Sequence, residues 1–140
     1  MRRFFGVGVV LLLLGVLSPD GLLAQNAPRS RLKGNYPNPF NPTTTIQFEL
    51  FEEDCSGGKP CKVSIYILNQ LRQLVAVPTA LKTHSNGTRV ENLTYPGPGV
   101  YEAYWDGMDT RGRKVASGVY FQVLEVNGVR LPPKRMVVTK

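Results

Sequence analysis

The sequence predicts an all-β protein, an antiparallel sandwich of about seven short strands behind a cleaved export signal. Three observations predict it. Apolar and polar residues alternate strictly in several short segments, which is the period of a half-buried strand. Clusters of Gly, Pro, Asn and Asp separate those segments, as turns require. No apolar residues recur at the 3.6-residue period of a helix.

The chain opens with Arg2 and Arg3, an apolar stretch from Phe4 to Leu17, and then Leu22, Leu23 and Ala24. A positive start, a short apolar core and a small residue at the cut make residues 1–24 a secretory signal peptide. The core falls short of the roughly 20 residues a membrane span needs, so no stable transmembrane segment is expected in the mature chain. Residues 25–33 are expected to be a short flexible leader and residues 34–140 the single domain. The formal charge is +7, and loss of Arg2, Arg3 and Asp20 lowers it by one, to +6. Arg130, Lys134, Arg135 and Lys140 end the chain without acidic neighbours in sequence. Export, and the lack of interleaved aromatic and basic residues, argue against a nucleic-acid partner. The basic surface suits an anionic glycolipid or polysaccharide.

Pro37, Pro39 and Pro42 precede the first strand. Each fixes φ and pushes its predecessor towards extended geometry, predicting a stiff polyproline-like lead-in that cannot join a central ladder. The first strand follows at once, with Ile46, Phe48 and Leu50 on one face and Thr45, Gln47 and Glu49 on the other. Cys55 and Cys61 bound a Ser-Gly-Gly-Lys-Pro loop. In an exported chain the pair predicts a local disulfide across a hairpin, worth roughly 2–3 kcal/mol for so short a loop. Lys62 to Asn69 is the second strand, with Val63, Ile65 and Ile67 facing one way, and Leu71 to Val77 a third, completing half of a meander. Pro78 to Gly99 is the least patterned part, with a turn at Ser85-Asn86-Gly87 and a short strand near Thr88 to Leu93. Val100 to Trp105 alternates again, placing Tyr101, Ala103 and Trp105 together.

Trp105 is large enough to centre a small sandwich core. Asp106 and Asp109 suit a turn in which their carboxylates accept backbone N–H groups and Gly107 and Gly112 take positive φ. The same aspartates would read as a calcium loop, but the ligand density and terminal bidentate Glu are missing. Gly118 opens the strand Val119 to Val126, and Asn127-Gly128 predicts a tight hairpin. Pro132-Pro133 interrupts the return strand, which is expected at an edge or resuming only at Met136.

No catalytic constellation emerges. His84 is the only histidine, and no acid is placed by sequence to orient it. Glu52, Glu53 and Asp54 form a run rather than a spaced acid/base pair. The glycines sit in turns, without a phosphate-cradling pattern. A non-enzyme without cofactor or metal is expected. The triplets at Asn86 and Asn92 match glycan acceptors of a eukaryotic route.

Four motifs in order, Asn35-Tyr-Pro-Asn-Pro-Phe-Asn-Pro-Thr-Thr44, Trp105-Asp-Gly-Met-Asp109, Val115-Ala-Ser-Gly-Val-Tyr-Phe121 and Lys134-Arg-Met-Val-Val138, carry a resemblance. The chain from about residue 33 onward resembles the C-terminal sorting domain of the type IX secretion system. It is also similar to the immunoglobulin-like domain of the flagellar hook-capping protein. The resemblance implies an immunoglobulin-like sandwich that acts as an address. An outer-membrane translocon would read it in the periplasm and deliver the protein to the cell surface or medium. It further implies that the last strand is recognised, giving Gly118, Tyr120, Lys134, Met136, Val137 and Lys140 as candidate recognition residues. Pro37, Pro39, Phe40, Pro42, Trp105, Asp106, Gly107, Asp109 and Gly112 are the structural residues of the motifs. Bacterial context makes the glycan triplets chance matches. In the family the domain follows a large passenger, whereas here residues 25–33 alone lie between the cut and the domain. The tail of a split gene, a freestanding exported product, and a module reused as a scaffold that holds partners by edge-strand pairing all stay open.

Overall fold

The computed structural model describes residues 29–55, 60–83 and 85–140. The signal peptide, residues 25–28 of the leader, the tip of the Cys-bounded loop and His84 lie outside the described residues. Among the described residues, ten strands and one helical turn follow in order: β1 (Arg31–Tyr36), β2 (Thr44–Leu50), α1 (Glu52–Cys55), β3 (Cys61–Leu68), β4 (Leu74–Ala76), β5 (Thr79–Leu81), β6 (Leu93–Tyr95), β7 (Gly99–Trp105), β8 (Gly118–Val126), β9 (Val129–Arg130) and β10 (Lys134–Val138).

All ladders between these strands are antiparallel. One sheet runs β1-β2-β7-β5 and the other β10-β8-β3-β4, with β6 on β3 and β9 on β8. Relabelled A to G along the chain, these are the A-B-E-D and G-F-C orders of an immunoglobulin-like sandwich, with β4 added beside C. Period-2 alternation puts the apolar row of each long strand inside. Ile46, Phe48, Leu50, Ala103 and Trp105 from one sheet meet Val63, Ile65, Ile67, Leu124, Val126 and Met136 from the other, none more than 2% exposed.

The predicted long strands hold; several finer expectations do not. The predicted third strand, Leu71 to Val77, is reduced to β4 and the start of the predicted return to β9. The additional strands β5 and β6 are three residues long, too short to show alternation in sequence. The expected flexible leader overlaps β1, whose Arg31 to Lys33 lie in a strand laid on β2. Ser30 anchors its start: its N–H and hydroxyl donate to the Asp54 carboxylate, and its Oγ accepts from Phe51 N. The predicted polyproline lead-in is instead a succession of bends from Pro37 to Pro42, with cis peptide bonds before all three prolines.

Cys55 and Cys61 are joined, with Cα atoms 4.9 Å apart. They do not close a hairpin, however, because β2 and β3 belong to different sheets and the loop carries the chain between them. The expected meander is absent for the same reason. Thr88 to Asn92 forms no strand beyond a single bridge at Arg89. Val90 anchors that stretch by exchange with neighbouring backbone, Ile65 N donating to Val90 O and Val90 N to Pro78 O. The Asn127-Gly128 hairpin forms as predicted, both residues at positive φ. After the proline pair the chain resumes as β10 at Lys134, two residues earlier than expected.

Candidate functional site: the motif corner and the C-terminal strand

The four motifs, spread over a hundred residues of sequence, pack into one corner of the sandwich. Trp105 lies at its centre. Its Nε1 donates to Met108 O at 2.9 Å, so burial of the indole leaves no donor unpaired. Phe40, 1% exposed, meets the indole edge-on at 5.3 Å, and Tyr120 does so from the other sheet at 5.9 Å. The Tyr120 hydroxyl donates to Ala116 O at 2.9 Å, tying the start of β8 to the loop before it. Burial pushes the Tyr120 phenol above its ordinary pKa.

The turn after Trp105 is built by its aspartates. Asp106 Oδ1 accepts from Met108 N, and Asp109 Oδ1 accepts from the N–H groups of Arg111 and Arg113. The Arg113 backbone N–H, with its guanidinium on the same carboxylate, holds the Asp109 carboxyl below the usual range. Both carboxylates are thus engaged in shaping the turn. Among the described residues no group of three or more His, Cys, Asp or Glu side chains could hold a metal. Gly107 sits at φ +76°, and a Cβ there would overlap the Pro42 carbonyl oxygen. The proline segment can therefore close on the turn only over a glycine. Val115 N donates to Gly107 O, bringing the third motif against the second.

The proline segment also reaches the C-terminal strand. Phe40 N donates to Val137 O and Thr139 N donates to Phe40 O, both at 3.0 Å, as an isolated parallel bridge. Val137 N donates to Asn38 Oδ1 at 3.0 Å. The first motif is thus latched along the outer edge of the last. At Val137 both backbone groups on the outer edge of β10 are already taken.

The candidate recognition residues divide by position. Lys134 and Lys140 are exposed. Lys140 borders, with Lys114, Pro42 and Val138, a cleft of about 530 Å³ beside the proline segment. Val137 is half-buried on the outer face of its sheet, opposite Val119. Met136 is fully buried and Val138 is 4% exposed, both in the core. Met136 therefore offers no side chain to a partner, and Tyr120, 9% exposed, offers little. Gly118 opens β8 opposite Val138 at φ +151°, a conformation that disfavours a side chain even in open space. Arg130, expected to lack an acidic neighbour, pairs with Glu125 at 3.0 Å across the β8–β9 hairpin.

A buried polar pair escaped the sequence reading. Gln122, 0% exposed, donates to Asn35 Oδ1 at 3.1 Å, and Asn35 Nδ2 donates to Thr44 Oγ1 and Pro37 O. Gln122 has the parity of Tyr120 and Leu124, so its inward direction was readable from alternation. Its partner was not.

No family model matches the chain, and no curated protein matches it. Among solved structures, the Pseudomonas fluorescens alkylpurine DNA glycosylase AlkC bound to DNA containing an abasic site analog aligns with TM-score 0.48 at 15% identity. The alignment covers 84% of this chain and 32% of that one, so the chain spans about a third of that protein. A likeness of that size carries no argument about activity or partner.

Proposed function

We propose that the chain is a non-catalytic sorting domain, exported across the inner membrane and addressed through the outer-membrane type IX translocon to the cell surface or medium. One observation carries the reading. The four motif segments on which the resemblance rests form a single packed unit, Phe40 on Trp105, Trp105 on Tyr120, and Phe40 bridged to β10. A unit of this kind explains why an address would need all four motifs. Three of them hold the fourth, the C-terminal strand, in one orientation.

The test follows the full chain by fractionation in a host with type IX machinery and in the same host lacking the translocon. Surface or medium location in the first and periplasmic retention in the second is the expected result. Periplasmic location in both overturns the reading and leaves an immunoglobulin-like scaffold or binding module. Deleting residues 134–140 is not a usable control, because Met136 and Val138 are core residues and their loss would unfold the domain. A reporter, if used, belongs ahead of Arg29, since Ser30 and β1 are integral to the fold.

A further inference from the structure

We infer that the outer face of the β10-β8-β3 sheet is a docking surface for an acidic protein partner, gripped by Arg72 and Arg135 over an apolar row. On this sheet Tyr120, Leu124 and Met136 point into the core. By alternation their neighbours Val119, Phe121, Arg135 and Val137 point out. The register aligns them: Arg135 lies opposite Phe121, and Val137 opposite Val119. Val119, Phe121 and Val137 are half-buried, and Leu71, 77% exposed, stands beside Val119 at the rim.

Cations cover this row. The Arg72 guanidinium stacks over the Phe121 ring at 4.6 Å, and that of Arg130 over Tyr66 at 4.9 Å on the same face. Arg130 is neutralised by Glu125, whereas neither Arg72 nor Arg135 makes an ion pair among the described residues. Stacking fixes a guanidinium plane and leaves its N–H edge free for bidentate contact with a carboxylate. Arginine and aromatic groups with an aliphatic anchor are the composition of protein interface hot spots. A second copy of this chain would set these guanidiniums against their own kind, so the charge complement is an acidic surface. The latch at Val137 reinforces the choice of face over edge: with the backbone of β10 occupied there, side chains are what the strand has left to present.

The inference rests on the sorting reading for where such a partner is met, but its test does not need the translocon. The isotopically labelled chain is titrated by NMR with a synthetic peptide alternating Glu with Leu and Tyr. Shifts are expected at Phe121, Arg135 and Val137, and Arg72→Glu with Arg135→Glu should weaken binding at least about tenfold. The pair Arg72→Lys with Arg135→Lys keeps charge and solubility but loses the planar fork, and should weaken it less. Lys114→Glu with Lys33→Glu, both exposed and away from this face, should leave it unchanged. Equal loss from both charge-reversed pairs, shifts scattered over all basic sites, or binding to anionic vesicles but not to the peptide overturns the inference. In the secretion host, surface delivery of both wild type and the Arg72/Arg135 charge reversal overturns it while the sorting reading stands. Translocon-independent location with intact peptide binding does the reverse.

Discussion

The two ends of the sandwich are closed by different means. At one end Phe40, Trp105 and Tyr120 form an aromatic cluster whose polar atoms all reach backbone carbonyls, and a non-covalent latch ties the proline segment to β10. At the other, Phe48, Tyr95 and Tyr101 form a second cluster with centroids 4.7 to 5.8 Å apart. There Cys61 pairs with Tyr95, so a disulfide staples the cluster's edge. The Tyr101 hydroxyl donates to Gly97 O at 2.7 Å, but the buried Tyr95 hydroxyl has no partner among the described residues. Roughly 13 Å of β7 separates Tyr101 from Trp105, by the usual rise per residue. The motif end spends sequence on polar closure, and the other end relies on a covalent bond and tolerates an unpaired phenol. The difference lies in the aromatic groups: at the end that displays the C-terminal strand both ring donors are paired, although the buried Gln122 Oε1 opposite Lys134 has no partner among the described residues.

The largest expected effect is Phe40→Ala. Removing a fully buried ring should cost about 3–5 kcal/mol in urea denaturation and free the latch on Val137. Gly107→Ala comes next. It combines positive φ with overlap on the Pro42 carbonyl, a strain of about 1–3 kcal/mol, read as a lower melting temperature. The matched pair Tyr120→Phe and Tyr95→Phe sharpens the contrast at single atoms. Tyr120→Phe should lose about 0.5–1.5 kcal/mol with its hydrogen bond, whereas Tyr95→Phe removes an orphaned hydroxyl and should be neutral or stabilising.

The smallest effect is in pH. Burial, then the neighbouring Tyr101, pushes the Tyr95 phenol up to about 12 from its ordinary 10.0. A raised folded-state pKa favours the protonated, folded form, so this contribution is complete below pH 10.0 and is lost as pH rises towards 12. Alkaline titration of stability should show the fall, and Tyr95→Phe should reduce it. The remaining fall belongs to Tyr101 and Tyr120, whose phenols are raised in the same direction.

Where the chain alternates over seven or more residues, as in β2, β7 and β8, strand and inward face were legible, because burial of one row leaves a period of two. The turn chemistry at Asp106, Asp109 and Asn127-Gly128 was legible for the same local reason. What could not be read is long-range. Nothing in the composition of Asn38 to Phe40 says that it will bridge Val137, nor in Gln122 that Asn35 will meet it. The Cys55–Cys61 loop read as a hairpin because short loops between strands usually are, and only the sheet order shows it crossing layers. Recognition residues were placed on β10 by resemblance, but alternation sends Met136 inward and Arg135 outward. The outward parity of Arg135 was available from the sequence; the stacking of Arg72 on Phe121, from a turn fifty residues away, was not.

That the motifs act as one structural unit is tested most directly by a double-mutant cycle in urea denaturation, pairing Phe40→Leu with Trp105→Phe. The two residues touch at 5.3 Å, so a coupling of about 0.5–3 kcal/mol is predicted, while Phe40→Leu with Tyr95→Phe, at opposite ends, should add within about 0.5 kcal/mol. Additivity in the first cycle, or equal coupling in both, would contradict a self-contained motif corner.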